Sequence, residues 1–207
     1  MVTGLDRLTL LSAVSLLVAT VVAWIGLARL PMFMSLTGFL FAWTLMMTAM
    51  MLPSIAPLVL LYRGSRIALA ASYLVVWGVL GLLPYAAMEW TMTVDRRRAA
   101  IVLAAAGIYE LTPLKTACLR HCQSPATFLM QRYAMGPWRL GVEHAIWCTG
   151  CCLGLMAVLV FAAAMNLFWA AAIAVVVFAQ KVLPFGAASS RLVALALAAA
   201  AIVIAIK

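Results

Sequence analysis

Residues 36–61 read LTGFLFAWTLMMTAMMLPSIAPLVLL, an unbroken apolar run without one charged side chain. At a rise of about 1.5 Å per residue, such a run crosses the roughly 30 Å hydrocarbon core of a bilayer as an α-helix, which satisfies its own backbone hydrogen bonds where water is absent. Outward from it, comparable stretches lie near 8–28, 68–89, 141–163, 165–182 and 188–206. The run at 98–111 is apolar but short, which suits a re-entrant or interfacial helix as well as a crossing one. Composition agrees: 68% hydrophobic residues, 9% charged residues and a mean hydropathy of +1.17. Soluble domains hold roughly 45–50% apolar and roughly 25% charged residues. The period-2 alternation of a β-barrel is absent. The expected fold is therefore all-α, a polytopic transmembrane helix bundle of about six to seven spans. It forms a single domain over residues 1–207, with the lipid bilayer as its first partner.

The net charge of +9 comes from Lys and Arg residues spread among the connections and not interleaved with stacking aromatics, so nucleic acid is not an expected partner. The first apolar stretch is longer than a signal-peptide core and lacks a clear small-x-small cleavage site, which marks it as a retained helix. With the amino terminus inside and seven spans, Arg7, Arg63, Arg66, Lys115, Arg120, Arg132, Arg139, Lys181 and Arg191 are cytoplasmic. Arg29, Arg96, Arg97, Arg98 and Lys207 then lie outside. Lys115, Arg120 and Lys181 read as side chains snorkelling to headgroups. The alternatives are that the Lys115 and Arg120 charges favour thiolate at the neighbouring cysteines and that Gln180 and Lys181 line a cavity. Glu89 and Glu110 read as residues at span ends. Asn166 reads as a turn residue between two apolar runs. Nothing resembles a nucleotide-binding glycine loop, a serine triad or a paired-carboxylate site, so ATP-driven and hydrolytic chemistry have no support in the chain.

All five cysteines and both histidines fall within residues 118–152. Such a density of soft, deprotonatable side chains in a lipid-facing scaffold points to metal ligation, thiol redox chemistry or a structural staple. Residues 107–125 read GIYELTPLKTACLRHCQSP. With Thr112 as cap and Pro113 in the first turn, a helix puts Cys118 and Cys122 one turn apart on one face, with His121 adjacent. This CLRHC motif belongs to a partly helical interfacial loop over residues 112–140. Residues 143–156, EHAIWCTGCCLGLM, open a hydrophobic helix on which His144, Cys148 and Cys151 share about 60° of arc and Cys152 and Met156 continue around that side. Neither motif alone closes a tetrahedral shell. Cys118 and Cys122 brought against Cys148 and Cys151, with His121 or His144 as substitutes, would complete one. Glu143 either meets the helix dipole or orients His144.

Within the second span, Met46, Met47, Met50 and Met51 form two i,i+4 pairs, and Pro53 and Pro57 interrupt the backbone ladder. Met47 and Met50 share a face with Trp43 and Ser54, which offers a thioether surface suited to soft cations; packing by adaptable methionine is the plainer reading. Thiolate and thioether donors select cuprous copper or zinc, and the scarcity of carboxylates argues against magnesium, calcium or manganese. Copper is preferred because only a cuprous ion makes use of the methionines.

Three segments in order, AWTLMMTAMMLPSIAP (42–57), GIYELTPLKTACLRHCQSP (107–125) and GVEHAIWCTGCCLGLM (141–156), closely resemble the bacterial domain-of-unknown-function 2182 family. The later MNLFW and QKVLPFG segments agree as well. The resemblance implies a metal-binding integral membrane protein of the bacterial inner membrane. It carries over Met46, Met47, Met50 and Met51, then Cys118, His121 and Cys122, then His144, Cys148, Cys151 and Cys152. The chain departs from the family pattern in having Gln180 where an acidic residue usually precedes the lysine, Leu153 where an aromatic usually follows the paired cysteines, and Glu110 where glutamine is usual.

Three functions follow. One is the handling of cuprous copper in transfer, acquisition or cofactor assembly, with a soluble or membrane partner protein. A second is a membrane thiol-disulfide oxidoreductase using Cys148-Thr149-Gly150-Cys151. A third is a structural zinc clamp without turnover.

Overall fold

A computed structural model of the chain describes residues 2–30, 35–90, 95–162, 166–183 and 186–206. Lys207 and the motif residues Met165, Pro184 and Phe185 lie outside them. The described elements are α1 (Val2–Arg29), α2 (Leu36–Leu61), α3 (Arg66–Leu80), α4 (Leu82–Trp90), α5 (Arg96–Glu110), α6 (Pro113–Gln123), α7 (Pro125–Arg132), α8 (Gly136–Phe161), α9 (Leu167–Val182) and α10 (Gly186–Ile206). A 3-10 turn over Tyr133–Met135 precedes α8, and no strand occurs among the described residues. The fold is all-α, as the apolar run lengths require.

Five stretches are long and apolar enough to cross a membrane: Arg7–Arg29, Leu36–Leu61, Arg66–Ala87, Pro125–Phe161 and Ala188–Ile206. The pair α5 and α6 makes a sixth if taken as one broken span, bent by 65°. Helix α9 has 16 residues, just under the roughly 17–25 that a perpendicular crossing takes. The segment at 98–111 is thus the first arm of a bent pair, and most of 112–140 is helical.

Local chemistry sets the breaks. The Ser35 hydroxyl accepts from the Gly38 amide at 3.2 Å, Ser65 from Ala68 at 3.3 Å, and the Asn166 side chain from Phe168 at 2.9 Å, so each caps the helix that follows it. At the bend, Thr112 Oγ1 accepts from the Lys115 amide at 3.2 Å, and Pro113 fills the first turn of α6. Helix α2 runs through Pro53 and Pro57 without ending. Each proline withholds one amide, and the Ser54 hydroxyl donates to the Met51 carbonyl at 2.7 Å beside them.

The chain divides into two compact units. The first comprises residues 1–85 and 124–145. Its centre is α2, whose Trp43, Met46, Met47, Met50 and Met51 are all buried, while α1 beside it turns Leu8, Leu11 and Leu17 outward. The Trp43 indole donates to the Trp77 carbonyl at 2.8 Å, joining α2 to α3. The Arg66 guanidinium ties the start of α3 to α1, reaching the Leu8 carbonyl at 2.9 Å and Ser12 Oγ at 2.7 Å. At Gly141 the early part of α8 touches α3 so closely that a β-carbon would lie 2.5 Å from the Leu69 carbonyl oxygen and collide with Ser72. Small residues allow this kind of close helix approach in membranes. Gly141→Ala is therefore expected to destabilise the protein by about 1–3 kcal/mol through overpacking, read as a lower thermal midpoint in detergent; an unchanged midpoint would disprove the close packing.

The second unit comprises residues 86–123 and 146–207. Helix α5 packs along α10, whose Leu192, Leu195 and Ile202 point outward, as lipid-facing residues of a span should. Helix α6 lies against α9, and the later part of α8 carries the paired cysteines. This unit holds the site.

Candidate metal centre

Cys148, Cys151 and Cys152 stand at i, i+3 and i+4 on α8, a spacing that places three thiols on one face of a single turn. Their sulfurs all lie within 4.8 Å of one another, and all three residues are buried. The Cys151 and Cys152 sulfurs are 3.4 Å apart, and Cys151 Sγ donates to the Cys148 carbonyl at 3.1 Å. From α6, Cys122 brings its sulfur to 3.6 Å from that of Cys151 and within interaction range of Cys148. The CLRHC and CTGCC motifs, separated by about one helix-loop-helix in sequence, thus meet in space. None of the five cysteines, all among the described residues, is in a disulfide.

Cys118 is buried one turn before Cys122 and faces Gly150 instead of the three clustered sulfurs. A β-carbon at Gly150 would lie 2.6 Å from Cys118 Sγ, so the glycine is what lets α6 lie against α8 here. The Tyr109 hydroxyl donates to the Gly150 carbonyl at 2.6 Å, fixing α5 to the same turn. Cys152 therefore stands where the sequence pairing would have put Cys118. On α8 it follows Cys148 by one turn, whereas Cys118 precedes Cys122 by one turn and meets α8 at Gly150, which brings no sulfur.

His121 is half-buried, stacked on the Trp147 ring with centroids 4.0 Å apart and planes at 4°, and its Nδ1 lies 3.1 Å from the Ala117 carbonyl. That contact leaves Nε2 as the nitrogen for an acceptor or ligand role. His144 belongs to the first unit, where it is buried between Phe128, at 5.4 Å between ring centroids, and Tyr73, at 6.0 Å. Its neighbour Glu143 forms an ion pair with Arg132. Met47 and Met50 are buried in the first unit with the rest of the α2 face.

The cations around the sulfurs are the main departure from the sequence reading. Lys115, expected to snorkel, has a fully buried side chain and donates from Nζ to Glu110 Oε1 at 2.6 Å and to Gln180 Oε1 at 3.0 Å. Gln180 Nε2 closes the ring by donating to Glu110 Oε2 at 3.0 Å. Glu110 and Gln180, two positions at which the chain departs from the resembled pattern, thus touch each other and share one lysine. Gln123 Nε2 also donates to the Gln180 carbonyl at 2.7 Å, so the end of α6 is fastened to the end of α9. The next residue, Lys181, is buried too and donates from Nζ to Cys148 Sγ at 2.8 Å. Sequence carries one signal for this arrangement: a Gln-Lys pair in the last turn of a short apolar helix, beside a Glu and a Lys that flank a helix break.

The donor set is three to four sulfurs, without a carboxylate among the clustered ligands, which is the chemistry of a soft ion. A family model described as a copper chaperone, PpoB2, matches residues 40–204. The chain belongs to this copper chaperone family. No curated protein and no solved structure matches it. The region shared with the PpoB2 copper chaperones includes the whole sulfur cluster, the Glu110–Lys115–Gln180 ring and Lys181.

Proposed function

We propose that this chain is a multi-pass protein of the bacterial inner membrane that captures cuprous copper on Cys148, Cys151 and Cys152 and passes it to a partner protein. The observation that carries this reading is the convergence of three sulfurs within 4.8 Å on one helical turn with a fourth, Cys122, from another helix. Cuprous copper accepts two or three soft ligands and exchanges them stepwise. A spare thiolate in reach allows an incoming sulfur to bind before an outgoing one leaves. Cys122, on the short helix α6, is suited to that exchanging role, while the trio on one rigid turn holds the ion. Cys118 and His121 lie on the same short helix and mark the approach to it. The resemblance of the three motifs to the domain-of-unknown-function 2182 family agrees with a metal-binding membrane protein.

Anaerobic titration of the purified protein with Cu(I), with elemental analysis and thiol counting before and after metal removal, tests this reading. Cu(I) should protect the clustered thiols from alkylation and be removed by a competing soft chelator. A titratable Cys148–Cys151 disulfide without metal would instead favour the oxidoreductase, and stoichiometric, non-exchanging Zn(II) the structural clamp.

Met47 and Met50 are proposed as a second, weaker soft station, on the ground that they share one buried face of α2. Replacing both with leucine nearly conserves volume and apolarity, so thermal stability should hold within about 1.5 kcal/mol while Cu(I) uptake falls. Unchanged uptake kinetics in the double variant would assign these methionines to packing alone.

A further inference from the structure

Lys181 is a buried lysine whose side-chain nitrogen sits directly on the Cys148 sulfur. Its Nζ lies 2.8 Å from Cys148 Sγ, and its residue is 6% exposed. Lys181 occupies the last turn of α9, and the residue before it is locked into the Glu110–Lys115 ring by two side-chain hydrogen bonds. The main-chain carbonyl of that same residue is held by Gln123. A long, flexible side chain is thereby delivered to one sulfur by an anchored stretch of backbone.

We infer that Lys181 is the residue that sets selectivity for monovalent over divalent ions at the sulfur cluster. The inference rests on the proposal that the cluster is the copper site. For any given number of thiolate ligands, a cuprous complex carries one more negative charge than a zinc complex. Two thiolates give −1 with Cu(I) and 0 with Zn(II); three give −2 and −1. When both ions are held by the same thiolates, as on the Cys148, Cys151 and Cys152 trio, a fixed positive charge beside the ligand set stabilises the cuprous complex by one additional charge–charge attraction. Away from water that attraction is screened little. Softness alone lets thiolates hold copper or zinc; the charge of Lys181 separates them.

The experiment is competitive metal binding by the full-length detergent-solubilised protein, with chromophoric Cu(I) and Zn(II) chelators as probes, on wild type, Lys181→Met, Lys181→Gln and Lys181→Arg. The ratio of Cu(I) to Zn(II) affinity should fall at least about tenfold in both neutral variants and stay within about threefold of wild type in the arginine variant. The two neutral substitutions differ in polarity, so whichever folds reports the effect. An unchanged ratio in a folded neutral variant overturns the inference. Cys148→Ser and Cys151→Ser are measured alongside. If they leave Cu(I) binding intact, it is the assignment of the cluster as the copper site that fails; if they abolish binding while the Lys181 variants keep the wild-type ratio, only the selectivity role of Lys181 fails.

Discussion

Cys148→Ser and Cys151→Ser each lower Cu(I) affinity by on the order of 100-fold or more, since even the outer partners of a metal site commonly matter 10- to 100-fold and these two sulfurs lie inside the cluster. Cys151 is the hub of the set, 3.4 Å from the Cys152 sulfur and 3.6 Å from that of Cys122. Serine keeps the shape of the side chain and supplies a hard oxygen in place of a soft sulfur, so the fold is retained and the cuprous preference is lost. Cys118→Ser has a smaller effect on equilibrium affinity, because Cys118 faces Gly150 and not the three clustered thiols. Competition titrations on the three variants give the comparison; equal losses for Cys118 and Cys151 would contradict the geometry.

Glu110→Gln is the second large effect. It leaves the Lys115 ammonium, with a fully buried side chain, facing two amides and no carboxylate. Removing one member of a buried ion pair typically costs about 3–5 kcal/mol, because the remaining charge is stranded in low dielectric. The ring predicts its own rescue. Gln180 and Glu110 both accept from Lys115 Nζ and are bonded to each other at 3.0 Å, so adding Gln180→Glu restores one carboxylate and one amide around the same ammonium. Thermal unfolding in detergent should show a deep loss for Glu110→Gln and recovery of most of it in the double variant. A double variant no better than the single one would mean that the ring needs its carboxylate on α5 specifically.

The all-α architecture was legible because hydrophobic length is a one-dimensional property: the run at 36–61 forms helix α2 with those bounds. So was the α8 thiol face, since i, i+3 and i+4 positions meet on any helix, and the Thr112-Pro113 start of α6 followed from capping chemistry. Which α6 cysteine would oppose α8 was not legible. That depends on where two helices cross, and the crossing is set by Gly150, a residue with no metal chemistry of its own. The buried lysines were legible only as the less favoured alternative to snorkelling. Hydropathy scores Lys115 and Lys181 as charges seeking water, whereas their partners, Gln180 and Cys148, are 65 and 33 residues away in sequence. The status of segment 98–111 turned on a 65° bend at 111–112 that sequence marks only as a Leu-Thr-Pro break.

X-ray absorption at the copper edge of anaerobically loaded full-length protein tests the central claim most directly. The sulfur cluster predicts a two- or three-coordinate Cu(I) ion with sulfur alone in its first shell, and loss of that signal in Cys148→Ser and Cys151→Ser. A first shell of nitrogen or oxygen donors, or the same sulfur signal persisting in both serine variants, would contradict copper capture at Cys148, Cys151 and Cys152.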